Sequence, residues 1–290
     1  MSPRATSLQQ FVILGRRVVP RGWSPLLVLL ASFWPRLRTY PSFMANGTML
    51  YLDLSKRMCH GLFFLRGQPH EYGTEKLMRS LLRPGDTFVD VGANVGYYSV
   101  LASWMVGRAG AVLAVEPQPP ALSMLALNAT RRASAPIRVA PVAASDQMGA
   151  AQLWVRPNGD TSSLAPGGPA TPISVPLDTL DHLCAELPRV TLLKIDVEGH
   201  ELQVLRGARS TISRYRPWIC FELLEQLASA GAVSVDGLSA FFRELDYVCH
   251  YVCHQEGGPL VWSERSQYVL AVPRERAATV ARHVPEAFET

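Results

Sequence analysis

The sequence predicts an α/β fold: a seven-stranded, mostly parallel sheet with helices on both faces, an antiparallel C-terminal strand, and an N-terminal helical or β extension. Three observations carry this expectation. From residue 72 onward, short apolar runs alternate with helical patterns, as in a parallel sheet covered on both sides. Phe88-Val-Asp-Val-Gly-Ala-Asn-Val-Gly-Tyr-Tyr98 reads as a strand, a glycine-spaced turn and a helix start. Leu193-Lys-Ile-Asp-Val-Glu-Gly-His-Glu201 places a second acid-rich strand end further along the chain. At 290 residues and 48% hydrophobic content the chain supports a sizeable core. The expected division is an extension over residues 1–52, the main domain over 53–275 and a tail over 276–290.

The elements follow in order. Thr48 to Leu54 and Gly61 to Leu65 suggest a small β-ribbon. Tyr72 to Leu82 has Leu77, Leu81 and Leu82 at helical spacing and stops at Arg83-Pro84-Gly85. Asp86 to Val91 is the first core strand. Tyr97 to Val106 is a helix with Val100, Leu101, Trp104 and Met105 on one buried face and Gly107 as its cap. Ala111 to Val115 is the second strand. Pro119-Pro120 opens a helix where proline costs least, with Leu122, Leu125 and Ala126 inward. Ile137 to Ala143 is the third strand. The Pro/Gly/Ser-rich stretch from Arg156 to Pro172 is long for a connection; a lid over a substrate and an idle surface loop are both open. Asp178 to Leu187 reads as a helix, Thr191 to Val197 as the fourth strand, and Glu201 to Leu205 as a helix closed by Gly207. Trp218 to Leu223, a helix over Val235 to Leu245, and strands over Tyr247 to Val252 and Gln267 to Val272 complete the series.

Two carboxylates mark the ligand. Asp90 sits at the first strand's tip, before the Gly92 and Gly96 turn, and Glu116 ends the second strand twenty residues past Gly96. A dinucleotide fold sets pyrophosphate on the glycine turn and uses the second-strand acid for ribose hydroxyls. An additional acid at the first strand faces a phosphate badly and suits a ligand with a cationic amine instead. S-adenosylmethionine is such a ligand. The missing Gly-x-Gly-x-x-Gly also argues against a nucleotide-dependent oxidoreductase. In the second motif, Lys194, Asp196 and Glu198 point to one side of a strand. A buried lysine needs a partner, and either acid could serve. The same acids could hold an acceptor and take its proton. His200 and Glu222, the latter at the end of the fifth strand, complete the candidate set.

Composition narrows the partners. Net charge is +4, the lysines are Lys56, Lys76 and Lys194, and no basic patch interleaved with aromatics appears, so nucleic acid is not expected. The cysteines, Cys59, Cys184, Cys220, Cys249 and Cys253, are odd in number and irregularly spaced. Reduced thiols in a cytoplasmic setting are the default. Cys249, His250, Cys253 and His254 lack a second ligand pair, so no metal site is expected there. The first acid of the chain is Asp53, preceded by Arg4, Arg16, Arg17, Arg21, Arg36 and Arg38. Pro25 to Trp34 is apolar but too short to span a bilayer. Three roles are open for this segment: a transit peptide, a helix on an anionic membrane surface with Trp23, Phe33 and Trp34 at the interface, and an extension packed on the main domain. The second would make the protein membrane-peripheral.

The chain resembles the FkbM family of S-adenosylmethionine-dependent methyltransferases, with a Rossmann-like sheet, from about Glu71 to Glu222. The residues that carry the resemblance are Glu71, Pro84-Gly85-Asp86, Asp90-Val-Gly-Ala-Asn-Val-Gly-Tyr97, Glu116-Pro117, Asn128, Ala143 to Asp146, Leu177-Asp178, and Lys194 to Glu201 with Val204-Leu-Arg-Gly-Ala208. His70-Glu71-Tyr72 departs from the family's Tyr-Glu-Pro. The resemblance implies that Asp90, Gly92, Asn94 and Gly96 line the methionine end, with Tyr97 and Glu71 counted among the cofactor-binding residues. It places Glu116 on the ribose and Asp146 near the adenine. The implied reaction is O-methylation of a hydroxyl on a sugar, glycolipid or polyketide-type molecule. The Asn/Asp-Pro-Pro-Tyr signature of amino-group methyltransferases is absent from the fourth strand, which favours oxygen. Asp196 is the first candidate for the base or acceptor orienter, then Glu198, His200 and Glu222; a divalent ion held by these acids is an alternative. A non-catalytic or membrane-associated protein that keeps the fold is the alternative function.

Overall fold

The computed structural model describes residues 23–44, 46–56, 59, 72–156, 162–164, 170–223, 234–252 and 268–279. The N-terminal part comprises α1 (Trp23–Phe33), a 3-10 turn (Pro35–Thr39), and strands β1 (Tyr40–Phe43) and β2 (Met49–Leu52), which pair antiparallel. Residues 49–52 pair with 40–43; the ribbon partner expected at 61–65 lies outside the described residues. Leu27 and Ala31 of α1 and Leu50 and Leu52 of β2 are buried in the cluster that also holds Phe88 and Leu101. The Leu54 amide donates to the Leu37 carbonyl at 2.8 Å.

The main sheet uses β3 (Thr87–Val91), β4 (Ala111–Val115), β5 (Ile137–Ala140), β10 (Leu192–Ile195), β11 (Trp218–Glu222), β12 (Tyr247–Val252) and β13 (Tyr268–Pro273). Their order is β12-β13-β11-β10-β3-β4-β5. All pairings are parallel except those of β13, which is antiparallel to both neighbours. The seven strands and the antiparallel C-terminal strand match the sequence expectation. Phe88, Val112, Leu192 and Leu270 face α2 (Tyr72–Leu81), α3 (Tyr97–Val106) and the N-terminal elements. Val89, Val91, Leu113, Leu193, Ile195 and Ile219 face the second cluster. That layer is built by α5 (Leu180–Leu183), α6 (Glu201–Arg206), α7 (Arg209–Tyr215) and α8 (Val235–Glu244). The alternation is the period-two consequence of strands buried on both sides.

Several elements differ from the expectation. Helix α3 is buried nearly all round, because β3, β4, α2 and α4 (Pro119–Arg132) all border it; Trp104 is exposed rather than inward. In α4 the inward residues are Ala121, Met124, Leu125 and Asn128, and Ala126 faces out. The stretch 178–187 is mostly not helical: Asp178 ends a strand and only Leu180–Leu183 forms a helix. A second sheet went unread. Strands β6 (Ala143–Ala144), β7 (Gly149–Val155), β8 (Ser162–Ser163) and β9 (Thr171–Asp178) join in the order β6-β9-β7-β8. The expected third strand thus stops at Ala140, and residues 143–144 belong to the other sheet. Pro172 and Pro176 disguise β9, yet both fall where it has no β6 partner, a position that a strand tolerates. Of the Pro/Gly/Ser-rich stretch, Ser162–Ser163 form β8 on the edge of β7 opposite β9; residues 157–161 and 165–169 lie outside the described residues.

Candidate active site

Consecutive strands leave β3 in opposite directions, β4 to one side and β10 to the other. The crevice between their C-terminal ends is where open α/β sheets hold ligands. Three backbone bonds fix it: Asp196 N–H to Val91 O (3.0 Å), Gly92 N–H to Val115 O (3.0 Å) and Ala93 N–H to Val115 O (3.1 Å). Gly92 has φ +78°, and a Cβ there would stand 1.8 Å from the Asp196 carbonyl oxygen. Only glycine allows the two strand ends to approach so closely. The turn continues through Asn94 (φ 50°) to Gly96 (φ 90°), which starts α3.

Asp90 is 1% exposed. Ser99 Oγ donates to its Oδ2 at 2.6 Å, while its Oδ1 has no hydrogen-bond partner. Its register partner on β10 is Lys194. Lys194 Nζ lies 3.0 Å from Asp196 Oδ2 and 4.8 Å from the Tyr98 ring centroid. Burial pushes the Asp90 carboxyl above its ordinary value, with Lys194 as the main opposing influence. Of the two acids that could partner Lys194, the structure selects Asp196. The strand ends at Ile195, so the alternation that would align Glu198 with them is lost; Glu198 adopts φ 55° in a turn.

Glu116 also works from burial. Its two oxygens accept the backbone N–H groups of Asn94 and Gln118, each at 2.8 Å. Desolvation raises its pKa to about 7 against those two bonds. Glu116 therefore clamps the glycine turn, and each oxygen keeps a lone pair for a further donor. Beside it, Gln118 Nε2 is buried without a partner.

Beyond β10, the Glu198 carboxyl is raised to about 7 by burial and then by the Asp196 charge, with Arg156 opposing. Ser163, on β8, donates its hydroxyl to the Glu198 carbonyl at 3.1 Å. The second sheet thus reaches the site. His200 precedes α6, and its Nε2 stands 3.0 Å from Ser145 Oγ, which donates to Asp146 Oδ1 at 3.3 Å. Burial lowers the His200 pKa. The imidazole is thereby linked to Ser145 and Asp146, the exposed residue implied for the adenine side. Glu222 ends β11, next to β10 and half-buried. Glu71 lies outside the described residues. Tyr97 is 6% exposed, and its hydroxyl donates to Glu75 Oε1 at 2.5 Å.

Sequence reasoning missed Glu75, Ser99 and Ser145. Glu75 had a signal: it shares an i, i+3, i+7 stripe with Met78 and Leu82, both buried. Ser145 lies within the Ala143 to Asp146 segment that carries the family resemblance, next to Asp146, while Ser99 is a small polar residue with no such mark. Among the described residues, no group of three or more His, Cys, Asp or Glu is arranged to hold a metal ion.

The residues fit the methyl donor expected from sequence. Carboxylates at Asp90, Glu116, Asp196, Glu198 and Glu201 act on one another through this crevice, with Lys194 and Arg156 as counter-charges. Such a surplus of acid repels a pyrophosphate and suits a ligand carrying an ammonium and a sulfonium. The unpartnered Asp90 Oδ1 and Gln118 Nε2 are buried polar atoms of the kind a ligand completes.

Comparison with known proteins agrees. Residues 90–249 match the family model described as the Methyltransferase FkbM domain. The hexuronic acid methyltransferase AglP of Haloferax volcanii is 29% identical over 145 residues, 48% of this chain and 58% of the relative. The FkbM methyltransferase structure from Methylobacillus flagellatus is 17% identical with a TM-score of 0.42, covering 74% of this chain and 52% of that one. Aeropyrum pernix fibrillarin, solved with S-adenosyl-L-methionine, is 14% identical with a TM-score of 0.41, covering 69% and 73%. This chain thus spans little more than half the length of the first two. The domain match covers more than half of the 290 residues and both strand-end motifs, and the chain belongs to the FkbM-domain methyltransferases, whose methyl donor is S-adenosylmethionine.

Proposed function

We propose that the protein is an S-adenosylmethionine-dependent O-methyltransferase acting on a hydroxyl of a sugar, glycolipid or polyketide-type small molecule. The observation that carries the reading is the Glu198 carboxyl: it stands at the crevice rim in a left-handed turn, beside Asp196, with its pKa raised to about 7. A group so tuned both holds and releases a proton near neutral pH. The relative AglP, named for a hexuronic acid, supports a sugar-type acceptor.

S-adenosylmethionine supplies a methyl group already activated on a sulfonium. The protein's part is alignment and proton removal. Asp90, Gly92, Asn94 and Gly96 would hold the methionine end, with Tyr97 and Glu71 in support. Glu116 would accept from the ribose hydroxyls, and Asp146, linked through Ser145 to His200, would flank the adenine. Lys194 Nζ holds Asp196 Oδ2 at 3.0 Å, so Asp196 orients the acceptor hydroxyl. Attack of the acceptor oxygen on the donor methyl would form the C–O bond as the S–C bond breaks, releasing S-adenosylhomocysteine, while the hydroxyl proton passes to Glu198. Glu222, on the neighbouring strand, lies on the acceptor side.

The test is incubation with the methyl donor and a panel of uronic acids and neutral sugars, read by mass spectrometry of product and S-adenosylhomocysteine. Turnover of a hydroxyl acceptor is expected. Glu198→Gln should lower kcat about 10²–10⁴-fold and leave calorimetric binding of S-adenosylhomocysteine intact. Unchanged kcat in that variant would remove Glu198 from the proton path. Failure to bind S-adenosylhomocysteine would overturn the whole reading.

A further inference from the structure

Helix α1 is apolar on two sides. Its inner side, Leu27 and Ala31, is fully buried against the domain. Its outer side shows Leu26 (39% exposed), Leu29 (56%) and Phe33 (80%), and Trp34 follows at 62%. No charged residue occurs in Trp23–Phe33. A helix that is apolar all round belongs in a buried place, and clustered exposed apolar side chains of this kind mark a docking surface. Arg36 and Arg38 follow directly and are both exposed. Arg38 Nε reaches back to the Ala31 carbonyl at 3.4 Å, which places its base at the end of the helix.

We propose that the outer side of α1, with Trp34, Arg36 and Arg38, seats the protein on the surface of an anionic phospholipid bilayer. Three features select that occupant. Eleven residues make a helix about 16 Å long, about half the hydrocarbon thickness, and no described helix is long and apolar enough to cross a membrane. The helix can lie in the interface but not span it. An aromatic pair beside arginines is the composition that headgroup regions favour. In the sequence, residues 1–52 carry six arginines and no acid, and Arg36 and Arg38 stand exposed directly after the helix, a basic character that complements anionic lipid. The same pair opposes a second copy of the chain, because a two-fold contact would set Arg36 and Arg38 against themselves. The buried inner side makes the docking rigid: what holds α1 holds the domain. The inference does not depend on the methyl-transfer reading.

The experiment is flotation of the full chain with vesicles of phosphatidylcholine alone or mixed with phosphatidylglycerol. Binding to the mixed vesicles is expected, roughly tenfold or more weaker on phosphatidylcholine and reduced by added salt. The triple variant Leu29→Ser, Phe33→Ser, Trp34→Ser should lose flotation, and Arg36→Glu should weaken it on mixed vesicles only. Phe33→Ser alone, at the most exposed position, guards against misfolding of the triple variant, with circular dichroism checking each protein. No flotation with mixed vesicles, or undiminished flotation of Phe33→Ser and the triple variant, would overturn the proposal. So would a dimer in analytical ultracentrifugation that Phe33→Ser dissociates, since the patch would then be a self-interface.

Discussion

The closest approach in the site offers the sharpest prediction, Gly92→Ala. The added Cβ would stand 1.8 Å from the Asp196 carbonyl oxygen, and real Cβ contacts essentially never fall under 3.0 Å. The β3 and β10 ends must therefore separate by at least about 1.2 Å. That movement stretches the Asp196 N–H to Val91 O bond and shifts the Lys194–Asp196 pair. Holding alanine at φ +78° costs about 1–2 kcal/mol, and forcing backbone apart in a packed region adds about 1–3 kcal/mol. The expected loss is about 2–5 kcal/mol. Gly47→Ala separates the two contributions, because Gly47 has φ +82° with nothing within 4 Å of its would-be Cβ. It should lose only the conformational part, about 1–2 kcal/mol. Urea unfolding of both variants measures the difference, and calorimetry with S-adenosylhomocysteine should show binding lost in Gly92→Ala and kept in Gly47→Ala. Equal destabilisation of the two, with binding retained in both, would refute the steric argument.

Two further perturbations address the buried charges. Glu116 rises from 4.5 to about 7 on folding, so the folded protein keeps a proton that the unfolded chain has released. Its contribution to stability is complete below pH 4.5 and is lost as pH climbs through about 7, a swing of about 3 kcal/mol. The difference between wild-type and Glu116→Gln urea-unfolding curves across this range should carry it; a constant difference would refute it. Lys194→Met removes the cation from between Asp90 and Asp196 and should cost about 2–4 kcal/mol. This lies low in the range for broken buried pairs because the Asp196 side chain is 27% exposed. In a double-mutant cycle, Asp196→Asn should recover part of the loss, and strict additivity would deny the coupling.

The main sheet was legible because its strands are buried on both faces and read as unbroken apolar runs: Thr87–Val91, Ala111–Val115 and Trp218–Glu222 stand within a residue of their expected bounds. The two acids proposed for the cofactor stood out for the same reason, since Asp90 and Glu116 interrupt or end such runs. The second sheet was not legible, because β7 buries little besides Leu153 and β9 carries two prolines. Its small apolar cluster joins Ala143, Leu153, Val175 and Leu177 from three strands, which no local pattern records. The acceptor half was half legible. Lys194 demanded an acid, but the choice between Asp196 and Glu198 depended on where the strand ended, and the left-handed turn at Glu198 left no mark in residue type. His200 looked available for proton transfer; its link to Ser145 is a contact across 55 positions that no local pattern encodes.

The adjacency of β3 and β10 has a temporal consequence. Asp90 and Lys194 sit side by side in the sheet but leave the ribosome 104 residues apart. At about 5–20 residues per second, that gap lasts roughly 5–20 s. Throughout it, β3 has one edge of unpaired N–H and C=O groups without its neighbour, open to any other unpaired strand. The carboxylates of Asp90 and Glu116 are made first, Lys194, Asp196 and Glu198 follow, and Glu222 comes last. A nascent chain stalled between the two strands therefore carries half a binding crevice and an unsealed sheet.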